Sequence, residues 1–279
     1  MKSLAWITGA GGLIGSHIVR AAPQEWAARG LTRMDFDLTD FAAMRAAFAR
    51  EQPQLVIHCA AMSKTGACEA NPELAQLNNV EVTRVLCELA ADIPLIFFST
   101  DLVFDGTRGN YAETDLPNPL NVYARTKLDA ERIALANPRH TVVRTSLNAG
   151  ITARGDAFNE LWRAVWQRGE VLSLFTDEFR CPLAAEVTAR AVWELAAAER
   201  PGLYHLAGAE RLSRHEIGEL LAARWPQLQP RLERDSVKNF TGPRRSPDCS
   251  LDIRKIQRVL PTPLPKCSAW LAANPDVEI

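Results

Sequence analysis

The sequence has little of what marks several common classes of protein. Only six cysteines occur among 279 residues, none in a Cys-x-x-Cys pair, at positions 59, 68, 87, 181, 249 and 267. We therefore expect reduced, structural thiols rather than a disulfide framework or a zinc site. The five histidines, at 17, 58, 140, 205 and 215, show neither His-x-x-x-His nor Glu-x-x-His spacing. No metal site is predicted from them.

An excess of charge of one sign and long apolar runs are also missing. The 32 basic and 33 acidic residues leave a net charge of −1, and no basic run is longer than Arg244-Arg245. This balance predicts no nucleic-acid partner and no anionic membrane surface. No stretch approaches the roughly 18 apolar residues of a membrane span, and the first apolar run starts near Met1 without a charged leader. We expect a cytoplasmic protein.

Hydrophobic residues, at 47%, suffice for one large core or two closely coupled domains. Short apolar runs alternate with helix-period segments, which predicts repeated βαβ units, an α/β fold and a doubly wound parallel sheet. The predicted strands are Leu4–Thr8, Trp26–Leu31, Leu55–Ala60, Leu95–Ser99, Thr141–Arg144 and Gly202–Ala207. The predicted helices are Ile14–Ala22, Phe41–Arg50, Pro72–Ala91, Val122–Ala136 and Ala185–Glu199, with Thr39 or Asp40 as N-cap of the second.

The composition changes after Arg144. Trp162 and Trp166 lie close together, and the segment from Pro226 to Pro265 is rich in proline and arginine. We interpret this as a smaller, discontinuous α/β lobe for the substrate. The predicted domains are a dinucleotide-binding unit of residues 1–145 and 185–210 and a substrate lobe of residues 146–184 and 211–279.

Glycines with phosphate-binding spacing follow the first predicted strand directly. Thr8-Gly-Ala-Gly-Gly-Leu-Ile-Gly15 opens a helix, the context in which backbone amides at a helix N-terminus hold a dinucleotide. A tight turn with close helix packing is the alternative, and the flanking strand and helix argue against it.

The end of the second strand addresses the choice between NADP and NAD. An acid about 20 residues after the glycines favours NAD, whereas an arginine favours NADP. The segment reads Arg29-Gly-Leu-Thr-Arg33, so we predict NADP, while nearby Asp35 keeps NAD possible. Asp37 and Leu38 are expected beside the adenine, although Asp37 would serve equally well as a helix cap.

Tyr123 and Lys127 are four residues apart and share one face of a predicted helix. We expect the lysine ammonium to lower the phenol pKa, so that the tyrosine can pass a proton near neutral pH. Such spacing also arises by chance, but here it accompanies a glycine loop and a strand ending in Ser99-Thr100-Asp101. Together these elements predict an oxidoreductase.

In this order the motifs resemble the extended short-chain dehydrogenase/reductases, closest to the dTDP-4-dehydrorhamnose reductase branch. The sharpest match is Ser99-Thr-Asp-Leu-Val-Phe-Asp-Gly106. Others are His58-Cys-Ala-Ala61, Cys68-Glu-Ala-Asn-Pro72, Asn79-Val-Glu-Val-Thr83, Tyr111-x-Glu113, Pro119-x-Asn-x-Tyr123 and Tyr204-His-Leu-Ala-Gly208.

The resemblance implies that Thr100, Tyr123 and Lys127 are catalytic: Thr100 holds the carbonyl oxygen, Tyr123 donates the proton and Lys127 binds the ribose. With the glycine loop, it predicts cofactor contacts at Gly9, Gly12, Leu13, Ile14, Gly15, Arg33, Asp37, Leu38, Ala60, Ala61, Met62, Asn79, Ser99, Tyr123 and Lys127.

The substrate half departs from that branch. Gly155-Asp-Ala-Phe158 stands where Gly-x-Asn-Phe is usual, and Asp177-Glu-Phe-Arg-Cys-Pro-Leu183 where Asp-Gln-x-Gly-x-Pro-Thr is usual. A nucleotide-linked deoxysugar substrate is therefore implied by kinship. The predicted substrate contacts are Asp101, Val103, Thr145, Arg180 and Arg244, with Arg180, Arg244 and Arg245 as candidate diphosphate ligands.

Three functions remain open at this point. The first is an NAD(P)-dependent reductase of a keto group on a nucleotide sugar. The second is a cofactor-binding regulatory subunit, as in the methionine adenosyltransferase β subunit of the same branch. The third is a nucleotide-sugar epimerase. A homodimer is common for this fold, but no patch in the sequence identifies one.

Overall fold

The computed structural model describes residues 2–279, and its strands are, in chain order, β1 (Ser3–Thr8), β2 (Trp26–Leu31), β3 (Leu55–His58), β4 (Leu95–Thr100), β5 (Thr141–Thr145), β6 (Asn148–Ala149), β7 (Val171–Phe175), β8 (Phe179–Arg180), β9 (Leu183–Ala184), β10 (Gly202–Leu206), β11 (Leu212–Ser213) and β12 (Arg231–Asp235). The helices are α1 (Leu13–Arg20), α2 (Phe41–Glu51), α3 (Thr65–Ala70), α4 (Pro72–Gln76), α5 (Val82–Leu89), α6 (Val122–Leu135), α7 (Phe158–Gln167), α8 (Ala185–Ala198), α9 (Arg214–Arg224), α10 (Arg254–Gln257) and α11 (Cys267–Ala273). Short 3₁₀ turns cover Asp101–Val103, Pro226–Leu228 and Val237–Asn239, and a π-helical turn covers Leu77–Glu81.

Six strands form one parallel sheet in the order β2-β1-β3-β4-β5-β10. The chain winds outward from β1 in both directions, so β1 and β3 flank the point where the strand order reverses. In open α/β sheets, ligands bind beyond the carboxyl ends of the strands at such a point. The predicted doubly wound fold is confirmed.

Alternate strand residues supply two cores because successive side chains of a strand point to opposite faces. Ile7 and Phe98 join one core with α1 and α8, and Trp6 and Phe97 join the other with α2, α5 and α6. The helices therefore cover both faces of the sheet.

The predicted helices form close to their expected bounds. Asp40 is the N-cap of α2 and accepts the backbone N–H of Ala43 at 3.0 Å. The helix predicted from Pro72 to Ala91 contains the π-helical turn, which separates α4 from α5. β3 ends at His58, two residues before the predicted end, and this leaves residues 59–64 free to form part of a cleft wall.

Several elements after β5 pack on one another beside the large sheet, and we call them the smaller lobe: β7, β8, β11, β12, α7 and α9. β12 pairs in parallel with β7, β11 pairs antiparallel with β8, and Trp166, Ile217, Leu221 and Trp225 build a separate core. α10 and its neighbourhood lie within the range predicted for this lobe, but Ile256 and Leu264 pack into the core on one face of the large sheet.

Within residues 2–279, every helix is too short or too polar to span a bilayer. All six cysteines are free thiols.

Candidate active site

An open cleft with a volume of ≈ 800 Å³ runs along the carboxyl ends of the strands, between the sheet and the smaller lobe. This size suits a small-molecule site. It is lined by residues 9, 11–15, 31–33, 36–38, 59–64, 67, 74, 78, 82, 98–100, 123, 127, 145–148, 152, 154 and 156–158. Within residues 2–279, no group of three or more His, Cys, Asp and Glu side chains is placed to hold a metal ion.

The glycine loop is packed so tightly that side chains do not fit. Gly9 has φ +68°, and a Cβ there would lie 2.7 Å from the backbone nitrogen of Ala60. A Cβ at Gly15 would lie 2.4 Å from the carbonyl oxygen of Gly9, and Gly12 N–H donates to that oxygen at 2.9 Å. The loop thus brings bare backbone and the first amides of α1 to the cleft, as phosphate binding requires.

At the end of β2, Arg29 and Asp35 form an ion pair, and Arg33 stands apart from them. Arg29 pairs with Asp35 at 2.8 Å, and the other oxygen of Asp35 accepts the backbone N–H of Thr32 at 2.9 Å. Asp35 therefore does not line the cleft, whereas Arg33 does. Asp37 and Leu38 also line the cleft, and Asp37 accepts the hydroxyl of Thr39 at 2.8 Å.

The segment after β3 carries Ala60, Ala61 and Met62 along the cleft wall. Asn79 is buried behind this wall instead of lining it. Its side chain accepts Met62 N–H at 2.8 Å and donates to the carbonyl of Met62 at 3.1 Å, so it fixes the backbone there. The side-chain amide of Asn79 also donates a hydrogen bond to the hydroxyl of Thr126 at 2.9 Å, which connects the same wall to α6.

Below this wall, His58 is fully buried between two hydroxyls, Thr8 at 2.7 Å and Thr83 at 3.1 Å. Burial, and secondarily the charge of Lys127, lowers its pKa to about 3. His58 is a neutral structural residue.

Ser99, Thr100, Tyr123 and Lys127 reach the same cleft from the end of β4 and from α6. Asn121 starts α6 by accepting the backbone N–H of Ala124 at 2.9 Å, which sets the phase of the helix and aims Tyr123 and Lys127 one turn apart. The Ser99 hydroxyl is buried and has no hydrogen-bond partner. A buried polar atom of this kind calls for a ligand or water.

The pKa values correct one expectation. Burial raises the pKa of the Tyr123 phenol above its usual value, and a hydrogen bond with Thr100 opposes this only in part. Burial lowers the pKa of Lys127 to about 7, against the opposite effect of Glu131, and the ammonium lies 4.0 Å from the centre of the Phe97 ring. In the protein alone, Lys127 does not make Tyr123 acidic.

The predicted substrate contacts divide in two. Thr145 lines the cleft, but Asp101, Val103, Arg180 and Arg244 do not. Val103 packs in an apolar cluster, and Asp101 and Arg180 are buried in contact with each other, with Arg180 Nε 3.6 Å from Asp101 Oδ2. Arg244 is exposed, and its carbonyl accepts from Asn121 at 3.4 Å.

Several lining residues escaped the sequence analysis, among them Lys64, Ser146, Arg154, Asp156 and Phe158. Ser146 directly follows Thr145, and Lys64 lies two residues after Met62, so a wider window around these predicted contacts would have included both. Arg154 lies in the loop before α7, directly before the Gly155–Phe158 segment that departs from the family pattern, and no local signal marks it.

The fold and this cleft define an extended short-chain dehydrogenase/reductase. A family model described as RmlD substrate binding domain matches residues 3–274. The chain belongs to that family, which confirms the resemblance predicted from the motifs.

Individual relatives differ in what their names state. A probable low-salt glycan biosynthesis reductase, Agl14, from Haloferax volcanii is 31% identical over 96% of this chain and 96% of its own. Methionine adenosyltransferase 2 subunit beta from Xenopus laevis is 33% identical over 78% of this chain and 71% of its own. A dTDP-4-dehydrorhamnose reductase from Bacillus anthracis, solved in complex with NADP, shares the fold, with a TM-score of 0.92 at 22% identity over 98% of each chain.

Proposed function

We propose that this protein is an NAD(P)H-dependent reductase of a keto group on a nucleotide-linked deoxysugar, or a similar substrate. The main support for this proposal is that Thr100, Tyr123 and Lys127 line the same cleft as the glycine loop. Kinship with a named reductase over nearly the whole chain supports the proposal.

The residues present fit a dinucleotide. The glycine loop leaves room only for backbone, as a pyrophosphate contact needs, and the buried Ser99 hydroxyl lacks a partner. Lys127 would bind the ribose next to the nicotinamide. Arg33 lines the cleft while Asp35 is held by Arg29, which favours a ribose 2′-phosphate and hence NADP over NAD.

When bound, the reduced nicotinamide supplies the hydride for the carbonyl carbon. The protein supplies the proton: Tyr123 gives the hydrogen of its phenol to the oxygen that develops negative charge. Thr100 lies beside the phenol and holds its position. Lys127 can orient the ribose in either protonation state. When it is protonated, its positive charge would also stabilise the phenolate that remains.

The test is oxidation of NADPH and NADH by the purified protein with a panel of nucleotide-linked 4-keto sugars. We expect turnover with a preference for NADPH. Tyr123→Phe should lower kcat by about 100-fold or more and leave cofactor binding intact, because it removes the hydroxyl that carries the proton and keeps the ring. Full turnover in Tyr123→Phe would rule out this mechanism.

A second candidate function is that of a cofactor-binding regulatory subunit. The similarity to methionine adenosyltransferase 2 subunit beta and one structural observation support it. Arg180, Arg214 and Arg245 in the smaller lobe are all engaged by Glu178 instead of facing the cleft. If the protein binds both reduced cofactors and consumes neither with any sugar nucleotide, this candidate is favoured. Substrate conversion without net cofactor consumption would indicate an epimerase.

A further inference from the structure

Neighbouring groups of the protein take up the proton of the Thr100 hydroxyl and one of its two acceptor positions. Oγ1 donates to Asp101 Oδ1 at 3.2 Å and accepts the backbone N–H of Leu102 at 3.2 Å. The hydroxyl also acts on the nearby phenol of Tyr123, whose pKa it lowers. A hydroxyl has one donor and two acceptor positions. With its proton directed to Asp101 and one acceptor position taken by Leu102, Thr100 has one acceptor position open and no hydrogen left for a substrate oxygen.

Donors surround the carboxylate of Asp101. Ser146 Oγ lies 2.6 Å from Asp101 Oδ2 and itself accepts the N–H of Cys181 at 3.1 Å. The single proton of Ser146 is therefore free to point at Asp101. Arg180 Nε lies 3.6 Å from the same oxygen, and Asp101 is only 4% exposed.

Arg180 is itself held from two sides by the smaller lobe. Its guanidinium donates to the carbonyl of Ser246 at 3.0 Å and pairs with Glu178 at 3.0 Å. Ser146 and the anchored Arg180 both contact Asp101 Oδ2 and so orient the carboxylate. A buried, oriented carboxylate thus lies directly behind Thr100 on the side away from the cleft.

We propose that Asp101 is a positioning residue that holds the Thr100 proton away from the cleft and yields it to the Tyr123 oxygen as Tyr123 loses its own proton. The inference rests on the proposed function, in which Tyr123 is the proton donor. Asp101, predicted from the sequence as a substrate contact, then acts on Thr100 instead. Thr100, predicted to hold the carbonyl oxygen, then donates its hydrogen bond to the phenolate of Tyr123.

The step is balanced. The O–H bond of Tyr123 breaks as the substrate oxygen takes the proton, and the bonding electron pair stays on the phenolate. The O–H bond of Thr100 stays intact and turns from Asp101 Oδ1 to the phenolate. Asp101 keeps its contacts with Ser146 and Arg180, and a proton from solvent later restores the phenol.

The groups facing Tyr123 decide the test. The titratable groups that act on the phenol are Asp101 after β4 and Cys68 from α3; Lys127 lies one turn further along the same helix. The negative charge of Asp101 is one of the effects that raise the pKa of the Tyr123 phenol. Glu69 accepts the backbone N–H of Val122 at 2.7 Å at the exposed start of the helix.

Asp101→Asn is the decisive variant. The positive Arg180 favours the amide oxygen on its own side, so the amide nitrogen would face Thr100 and turn the Thr100 proton towards Tyr123. Both this turn and the loss of negative charge stabilise the phenolate. We expect the phenol pKa of Tyr123 to fall by about one unit or more.

The measurement is an ultraviolet absorbance titration of phenol ionisation in the whole protein without cofactor. The chain has only three tyrosines, and subtracting the matching Tyr123→Phe protein isolates Tyr123. Asp129→Asn is the charge-matched control, since Asp129 lies on α6 and pairs with Arg132 at the surface. It should leave the titration unchanged.

An unchanged phenol pKa in folded Asp101→Asn would overturn the inference. If that variant does not fold, Thr100→Val provides the test, because it keeps the shape and the carboxylate and removes the hydroxyl. The phenol pKa should then rise, and no change would again reject the role. The titration needs no substrate, so a shift without any reductase turnover would reject the proposed function and leave the positioning role standing.

Discussion

Lys127 shows how a single side chain is adapted to the site at a cost to stability. The residue is 2% exposed, and its ammonium lies over the Phe97 ring with no carboxylate within ion-pair distance among the described residues. Glu131, one turn further along α6, is paired with Arg144 at 2.8 Å instead. Removing a charge from water is unfavourable, which is why the lysine loses its proton near pH 7.

The first prediction follows from this burial. The pKa of Lys127 is about 7 in the folded protein and near 10.5 in the unfolded chain. Below pH 7 both states are protonated, and the full cost of the buried charge is present. Between pH 7 and 10.5 the unfolded state binds more protons, so stability rises with pH. Lys127→Met should therefore be more stable than the wild type at pH 6, by roughly 2 kcal/mol or more, and the difference should shrink towards pH 10.

Urea unfolding of the cofactor-free protein at pH 6 and at pH 9.5 measures this difference. Lys238→Met is the matched control, because Lys238 is exposed and its replacement should leave the pH dependence unchanged. A gain in Lys127→Met that is the same at both pH values would contradict the argument.

At the scale of an element, the start of α1 depends on glycine for two separate reasons. Gly9 needs its positive φ as well as the absence of a side chain, whereas Gly15 needs only the absence of a side chain, because the helix approaches the loop within contact distance of the Gly9 carbonyl. The sequence pattern marks both glycines, but only the packing distinguishes the two reasons.

The second prediction compares two helical glycines. Gly15→Ala would place a methyl group 2.4 Å from the Gly9 oxygen, so it should cost about 1–3 kcal/mol of stability and abolish NADPH binding. Gly66→Ala in α3 meets nothing within 4 Å and should be neutral or stabilising by up to about 1 kcal/mol. Thermal melting and quenching of NADPH fluorescence report the two effects. Equal melting temperatures for the two variants would refute the steric account.

The π-helical turn between α4 and α5 is an element that the hydrophobic pattern did not predict. It places the carbonyl of Asn79 where Thr83 donates to it at 2.7 Å and aims the Asn79 amide at Met62. The apolar residues of this segment suit either helix geometry, so their spacing alone does not reveal the extra residue in the turn. The sequence predicts Asn79 as a cofactor contact, whereas in the structure its side chain holds the backbone of Met62 in the cleft wall.

At the scale of the whole molecule, Glu178 connects parts of the smaller lobe that are far apart in sequence. It is fully buried and contacts Arg180 at 3.0 Å, Arg214 at 3.1 Å and Arg245 at 2.6 Å. Burial opposes its ionisation, but the three arginines outweigh it, and the pKa of Glu178 falls to about 2. Its stabilising effect is therefore present above about pH 4.5 and is lost as the pH falls through 2.

The third prediction is that Glu178→Gln destabilises the protein by about 3–5 kcal/mol at pH 7, because it leaves buried guanidinium groups without their counter-ion. Urea unfolding measures the loss. Glu170→Gln is the control: Glu170 pairs with Arg168 at the surface, both about half exposed, so the stability of this variant should stay close to that of the wild type. Similar losses in both variants would mean that burial does not govern this cluster.

The sequence by itself determined the alternation of strands and helices, the glycine loop and the Thr100, Tyr123 and Lys127 set. Each of these depends on near neighbours in the chain: apolar spacing, a tight turn at a strand end, or two side chains one helical turn apart. Such local patterns predict which element forms and which residues it presents at its end.

Only the tertiary structure decided what the side chains meet. Asp35 pairs with Arg29, and Arg180 contacts Asp101 and Glu178. The basic residues that line the cleft therefore include Lys64 and Arg154, but neither Arg180 nor Arg244. An arginine in a sequence fits a phosphate, a surface or a buried carboxylate equally well. The choice depends on which partner from a distant segment arrives within hydrogen-bond distance, and the packing of the smaller lobe on the sheet makes that choice.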